Sequence, residues 1–206
     1  MSPAPAELDA EGWLAQARRI VSPNADARPE GVPVRLAVVH NISLPPGDFG
    51  GPGVIELFTN RLDPAAHPYY AQIAGLRVSA HFFIRRDGEL IQFVPTGLRA
   101  WHAGASCWAG AERCNDFSLG IELEGTDSLA FTDAQYVRLA ALIDTLRARY
   151  PLEAVTGHSD IAPGRKTDPG PCFDWPRLAR ALGRRAFGQD TQVSYSGIPL
   201  DTGTDV

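Results

Sequence analysis

The sequence is short of cysteine: Cys107, Cys114 and Cys172 are an odd number and form no CxxC pair. That argues against a disulfide framework and for a reducing setting. It has no basic excess either. The 19 Lys and Arg are outnumbered by 24 Asp and Glu, a formal charge of −5, which excludes an electrostatic nucleic-acid binder. No stretch reaches the roughly 18 apolar residues of a membrane span. Near the start, Glu7, Asp9 and Glu11 stand where a secretory signal needs a basic segment and an apolar run. A cytoplasmic protein is expected, monomeric by default, with neither nucleic acid nor membrane as partner.

What is present is ordinary globular material: 206 residues, 44% apolar and 21% charged. This length suits one domain that buries about 70% of its unfolded surface. Glycine (20) and proline (17) are frequent enough for many irregular loops, not for disorder throughout. The expected organisation is a flexible start at 1–8, one domain at 9–186 and a disordered polar tail at 187–206.

Periodicity sketches the domain. Trp13, Leu14, Ala17 and Ile20 predict an amphipathic helix over Asp9–Ile20. VRLAVVH, Val34–His40, reads as a buried strand, and Val54–Leu62 as a short helix, with a further helical piece within 63–76. In SAHFFIRRDGELIQFVP, Asp87-Gly88 signals a type I′ hairpin that pairs Phe82 with Phe93 and Ile84 with Ile91. SLGIELE predicts a strand at Ser118–Glu124. The best helix signal is Asp133–Tyr150, where Thr132 and Gln135 make a capping box before the stripe Tyr136, Leu139, Ala140, Ile143 and Leu146. A short strand near Val155 and a helix over Pro176–Leu182 complete the pattern. The fold class expected is mixed α/β, a central mixed sheet flanked by helices.

Two of the five histidines stand out. His40 ends a buried strand at the edge of a Gly/Pro loop, and His158 opens a loop that also holds Lys166 and Asp168. Two imidazoles and a carboxylate suit zinc with one open position, although the spacing forms no compact motif and structural roles stay open. Glu122 and Glu124 share the polar face of their strand, either as solvated carboxylates or with one as a general base. Lys166 is either a surface cation or a charge for an oxyanion. Arg77 and Arg113 are either surface residues or clamps for substrate carboxylates.

Five blocks carry a resemblance: VVHNISLPPGDFGGPG, SAHFFIRRDGELIQFVP, RAWHAGAS, CNDFSLGIELEGTD and TGHSDIAPGRKTDPGPCFDW. Together, in unbroken order from about Glu11 to Trp175, they resemble the AmpD-type N-acetylmuramoyl-L-alanine amidases. Those belong to the zinc amidases that include phage T7-type lysozymes and peptidoglycan recognition proteins. The resemblance implies one zinc ion on His40, His158 and Asp168, Glu122 as general base and Lys166 as the charge at the tetrahedral intermediate. It leaves Glu124 a supporting role. It also implies that Asn41, Arg77, Trp101, His102 and Arg113 line or support the muropeptide site. The implied substrate is a soluble 1,6-anhydromuropeptide released in wall recycling. The competing readings are an amidase of intact wall, a binding module without catalysis, and a thiol hydrolase built on one of the cysteines.

Overall fold

The computed structural model describes residues 7–183 and 197–199. Two short strands, β1 (Arg18–Arg19) and β2 (Ala25–Ala27), precede the long strand β3 (Leu36–Ile42). Helices α1 (Gly53–Phe58) and α2 (Pro68–Gln72) follow, then the hairpin β4 (Phe82–Ile84) and β5 (Leu90–Gln92). Next come β6 (Leu98–Ala100), β7 (Cys107–Trp108), β8 (Ala111–Glu112) and a 3-10 turn at Cys114–Asp116. The second long strand is β9 (Ser118–Glu124), followed by α3 (Asp133–Arg149), β10 (Ala154–Gly157) and α4 (His158–Ile161). Helix α5 (Trp175–Ala181) and strand β11 (Gly197–Pro199) complete the chain order.

Seven strands form the main sheet in the order β1-β5-β4-β9-β3-β10-β11. The centre is parallel: β9 pairs with β3 and β4, and β3 with β10. Both faces of this centre are buried, which is the usual condition of parallel strands. On one face Ala37, Val39, Phe82, Ile84, Leu119, Ile121, Leu123 and Val155 pack against the stripe of α3 and against Leu178 of α5. On the other, Phe83 and Ile91 meet the residues of α1 and α2, while Leu36 and Val38 meet Ala103, Phe117 and Ile161. The ionisable residues of β3 and β9 lie on this second face, at the carboxyl ends of the strands. Crevices outside those ends are where open α/β sheets bind ligands.

The strand at Ser118–Glu124 and the capping box are as the sequence predicts. Thr132 accepts from the Gln135 backbone N–H, and the Gln135 side chain accepts in return from that of Thr132. Three expectations are corrected. Residues 9–20 form no helix. Asp9 Oδ1 accepts from the N–H groups of Glu11, Gly12 and Trp13, and the chain then extends through β1 into parallel pairing with β5. The apolar residues are buried by this route too, with Trp13 and Leu14 in the core.

The hairpin register is one residue off the expectation, pairing Phe82 with Gln92, Phe83 with Ile91 and Ile84 with Leu90. Only Gly88 takes a positive φ, +88°, and Arg85 pairs with Glu89 around a three-residue loop. The tertiary structure holds this loop. Glu124 accepts from the Arg86 N–H, and the Thr132 hydroxyl donates to the Arg86 carbonyl. The helix over Val54–Leu62 is also shorter, ending at Phe58. Within the expected tail at 187–206, residues 197–199 pair antiparallel with β10; its other residues lie outside the described ones, as do 1–6 of the expected flexible start.

Candidate metal centre and its cleft

His40 and Glu122 sit at matching positions of β3 and β9 and are Cα partners across the parallel pair. Equal side-chain alternation on neighbouring strands puts both on the same face. His158 begins α4 just beyond β10. Its turn is tied by Asp160, which accepts from the Gly157 N–H and the Thr156 hydroxyl. Asp168 arrives on the loop after α4, and its carbonyl accepts from the Ser159 N–H. Four groups dispersed over 129 residues of sequence are thus set by three strand ends and one stapled loop.

His40 Nδ1, His158 Nδ1 and Asp168 Oδ2 form a triangle with every side 3.0 Å. Donors on a tetrahedral ion with bonds of about 2.0–2.1 Å lie about 3.3 Å apart, so the triangle is of metal-site size. The chemistry of the donor set agrees. His158 Nε2 is 3.1 Å from the Ala103 carbonyl, which can only accept. In the neutral ring the proton is therefore on Nε2 and Nδ1 offers its lone pair. Burial, with His158 beside it, pushes His40 down to about 4, so this ring is neutral near pH 7. Asp168 Oδ2, which when ionised can only accept, faces both Nδ1 atoms. Lone pairs of this kind converging at 3.0 Å call for a cation among them. The residues present fit a metal ion.

Glu122 borders the same space. Its Oε2 is the one buried side-chain oxygen or nitrogen without a hydrogen-bond partner among the described residues. Burial, then the charge of Asp168, push its carboxyl well above the ordinary range, with Lys166 pulling it back. Lys166 is exposed on the loop rim. The cleft over these groups has a volume of about 710 Å³. Its lining combines apolar Leu44, Leu57, Tyr69 and Val78 with polar Asn41, Asp127 and Arg165.

The structure therefore brings together His40, His158, Asp168, Glu122, Lys166, Asn41 and His102 as lining residues. Asn41 donates to Asp127 Oδ1 (2.7 Å) and to the Pro169 carbonyl (3.1 Å), tying its strand end to the loop of Asp168. Arg77 is exposed and Trp101 turns to Asp26, and neither lines this cleft. Arg113, left-handed at φ +62° and paired with Asp116, borders a neighbouring cleft of about 530 Å³ instead. Arg165 lines both clefts and donates to the carbonyls of Ala103 and Ala105, 2.6 Å each. Sequence reasoning passed over Arg165, Asp127 and Tyr69. Arg165 and Asp127 adjoin the motifs APGRKTD and EGTD, whereas Tyr69 had no signal beyond its type. The cysteines are all free, and none of them lines the cleft over the triangle, so nothing in this geometry places a thiol beside the histidines.

Residues 30–171 match the family profile of N-acetylmuramoyl-L-alanine amidase, well over half of the chain. The chain belongs to that family. Within it, the chain is 64% identical to the 1,6-anhydro-N-acetylmuramyl-L-alanine amidase AmpD of Salmonella typhimurium (strain SL1344), over 85% of its own length and 94% of the relative's. A crystal structure of a selenomethionine AmpD derivative superposes with a TM-score of 0.80 at 64% identity, covering 85% of this chain and 98% of that one. The amidase AmiD of E. coli, solved with anhydro-N-acetylmuramic acid-L-Ala-D-γ-Glu-L-Lys, is 31% identical with a TM-score of 0.53. That match covers 84% of this chain and 65% of AmiD.

Proposed function

We propose that this chain is a zinc-dependent N-acetylmuramoyl-L-alanine amidase. Its bond is the amide between the lactyl group of a 1,6-anhydro-N-acetylmuramic acid and the L-alanine of its stem peptide, in soluble fragments of the cell wall. The observation that carries the reading is the 3.0 Å triangle of His40, His158 and Asp168 beside the unpartnered Oε2 of Glu122. The similarity to AmpD supports the substrate. Three unpaired cysteines are in keeping with a cytoplasmic, recycling role.

His40 Nδ1, His158 Nδ1 and Asp168 Oδ2 would hold one zinc ion, which when bound acidifies water and polarises an amide carbonyl. Glu122 Oε2, which borders the cleft and has no competing donor, takes a proton from the attacking water. It then returns that proton to the departing alanine nitrogen. A raised carboxyl suits both halves of this exchange, since it holds a proton more readily than an exposed glutamate does. Lys166 presents its ammonium from the rim to the oxyanion of the tetrahedral intermediate. Asn41 uses its two amide N–H bonds to keep the Asp168 loop in register with β3 and leaves its Oδ1 to the substrate. Arg113, across Arg165 in the second cleft, extends the surface open to the peptide. Arg77 and Trp101 have no part in this reading.

Mass spectrometry of the protein with an anhydromuramyl tripeptide, with and without a zinc chelator, tests the proposal. Release of free tripeptide that stops with chelator and returns with zinc is expected. An intact substrate in zinc-loaded protein would overturn it and direct attention to intact peptidoglycan or to binding without cleavage.

A further inference from the structure

His40 has two ring nitrogens and, when neutral, one proton. Its Nδ1 belongs to the triangle with His158 and Asp168. Its Nε2 points the other way, 3.0 Å from Nδ1 of His102. A ring that ligates through Nδ1 must carry its proton on Nε2, and that proton needs an acceptor in this buried place. His102 Nδ1 is the acceptor in reach. The proton of His102 then sits on Nε2, which is 3.2 Å from the Ser118 hydroxyl oxygen. With Nδ1 of His40 ligating, both links run the same way, from His40 to His102 to Ser118.

We propose that His102 is a positioning residue of the metal centre: by accepting from His40 Nε2–H it fixes the tautomer in which His40 offers Nδ1 to the metal. The two histidine ligands are thus supported differently. His158 leans on the Ala103 carbonyl, an acceptor that cannot reverse. His40 leans on an imidazole, which could donate as readily as accept, and the Ser118 hydroxyl behind it can take either role.

Two local features hold the His102 ring for this task. Asn115 Oδ1 accepts from the backbone N–H groups of His102 (3.2 Å) and Ala103 (2.8 Å). Gly120, in the middle of β9, leaves the slot that the ring fills. A Cβ there would lie 2.5, 2.7 and 2.8 Å from three ring atoms of His102. A glycine inside a buried strand, where it is otherwise unfavourable, marks such a close approach.

This inference rests on the reading that the triangle binds zinc, and its test separates the two. Zinc affinity is measured by chelator competition in the parent, H102F and H102N, and long-range 1H–15N NMR spectra of the zinc-loaded parent report the histidine tautomers. Phenylalanine keeps the ring bulk over Gly120 but removes the acceptor, and about 10–100-fold weaker zinc binding is expected. Asparagine places Oδ1 where Nδ1 was and should bind zinc close to the parent. The spectra should show His102 with a proton on Nε2 and none on Nδ1. Parent-like affinity in H102F, equal losses in H102F and H102N, or a proton on His102 Nδ1 would each overturn the proposal. Should H102F not fold, the spectra of the parent decide alone. A parent that binds no zinc would instead overturn the metal reading itself.

Discussion

Glu122 and Glu124 lie two residues apart on one face of β9, yet they meet opposite environments. Glu124 is enclosed by donors: the N–H groups of Gly50 and Arg86 and the guanidinium of Arg85, at 2.7–3.2 Å. Its own carbonyl is gripped by Gln135 of the α3 capping box. Glu122 has an orphaned oxygen, a carboxylate neighbour in Asp168 and a proton affinity raised by burial. One carboxylate is spent on holding the loops around the cleft. The other is left unsatisfied, and a buried group without partners is costly to stability and available to chemistry.

Substitution of each glutamate should separate the two functions. The largest effect is expected for E122Q, in which turnover falls about 10²- to 10⁴-fold while metal analysis finds zinc as in the parent. Retained activity would erase the distinction between the two sites. E124A should lose about 3 kcal/mol of stability in chemical denaturation, because the N–H groups of Gly50 and Arg86 lose their acceptor and Arg85 loses the buried one of its two carboxylates, keeping only Glu89. Its folded fraction should keep binding zinc.

The pH dependence of the metal-free protein sharpens the contrast. Glu122 binds its proton more tightly folded than unfolded. Between the ordinary carboxylate range near 4.5 and its raised folded value, the native state holds the extra proton. Stability contributed there is lost as pH rises, by up to about 1.4 kcal/mol per pH unit. E122Q should remove that slope and melt higher than the parent at neutral pH, as followed by circular dichroism. The smallest effect is expected at the Glu124 end of the strand. T132A removes the helix cap and the hydroxyl that holds the Arg86 carbonyl, for about 1 kcal/mol, with turnover of the folded enzyme unchanged.

Local signals were read well where local physics decides. Alternation over Ser118–Glu124 and the Thr132–Gln135 box each involve residues that touch within the same element. The apolar spacing of residues 13–20 misled because two outcomes bury the same side chains. The choice between them rests on distant partners: Gln92 accepts from the Leu14 N–H and donates to the Gly12 carbonyl, and Gly12 sits at φ +96° against Thr96. A helix would forfeit all of these contacts. The hairpin slipped for the same reason, since its loop is held by β9 and α3 rather than by Asp87-Gly88 alone.

By itself, then, the sequence determined which residue types were available and on which local elements they would ride: histidines at strand ends, an Asp and a Lys in a Gly/Pro loop, two glutamates in phase on a strand. Hydrophobic period and capping are short-range properties, so they are legible in one dimension. Only the tertiary structure decided that His40, His158 and Asp168 meet at 3.0 Å, that Glu122 rather than Glu124 is the unpaired carboxylate, and that His102 stands behind His40. Those facts depend on strand order, on the approach that Gly120 permits, and on which buried groups find partners. No spacing along the chain encodes them, because desolvation and hydrogen bonding act between neighbours in space.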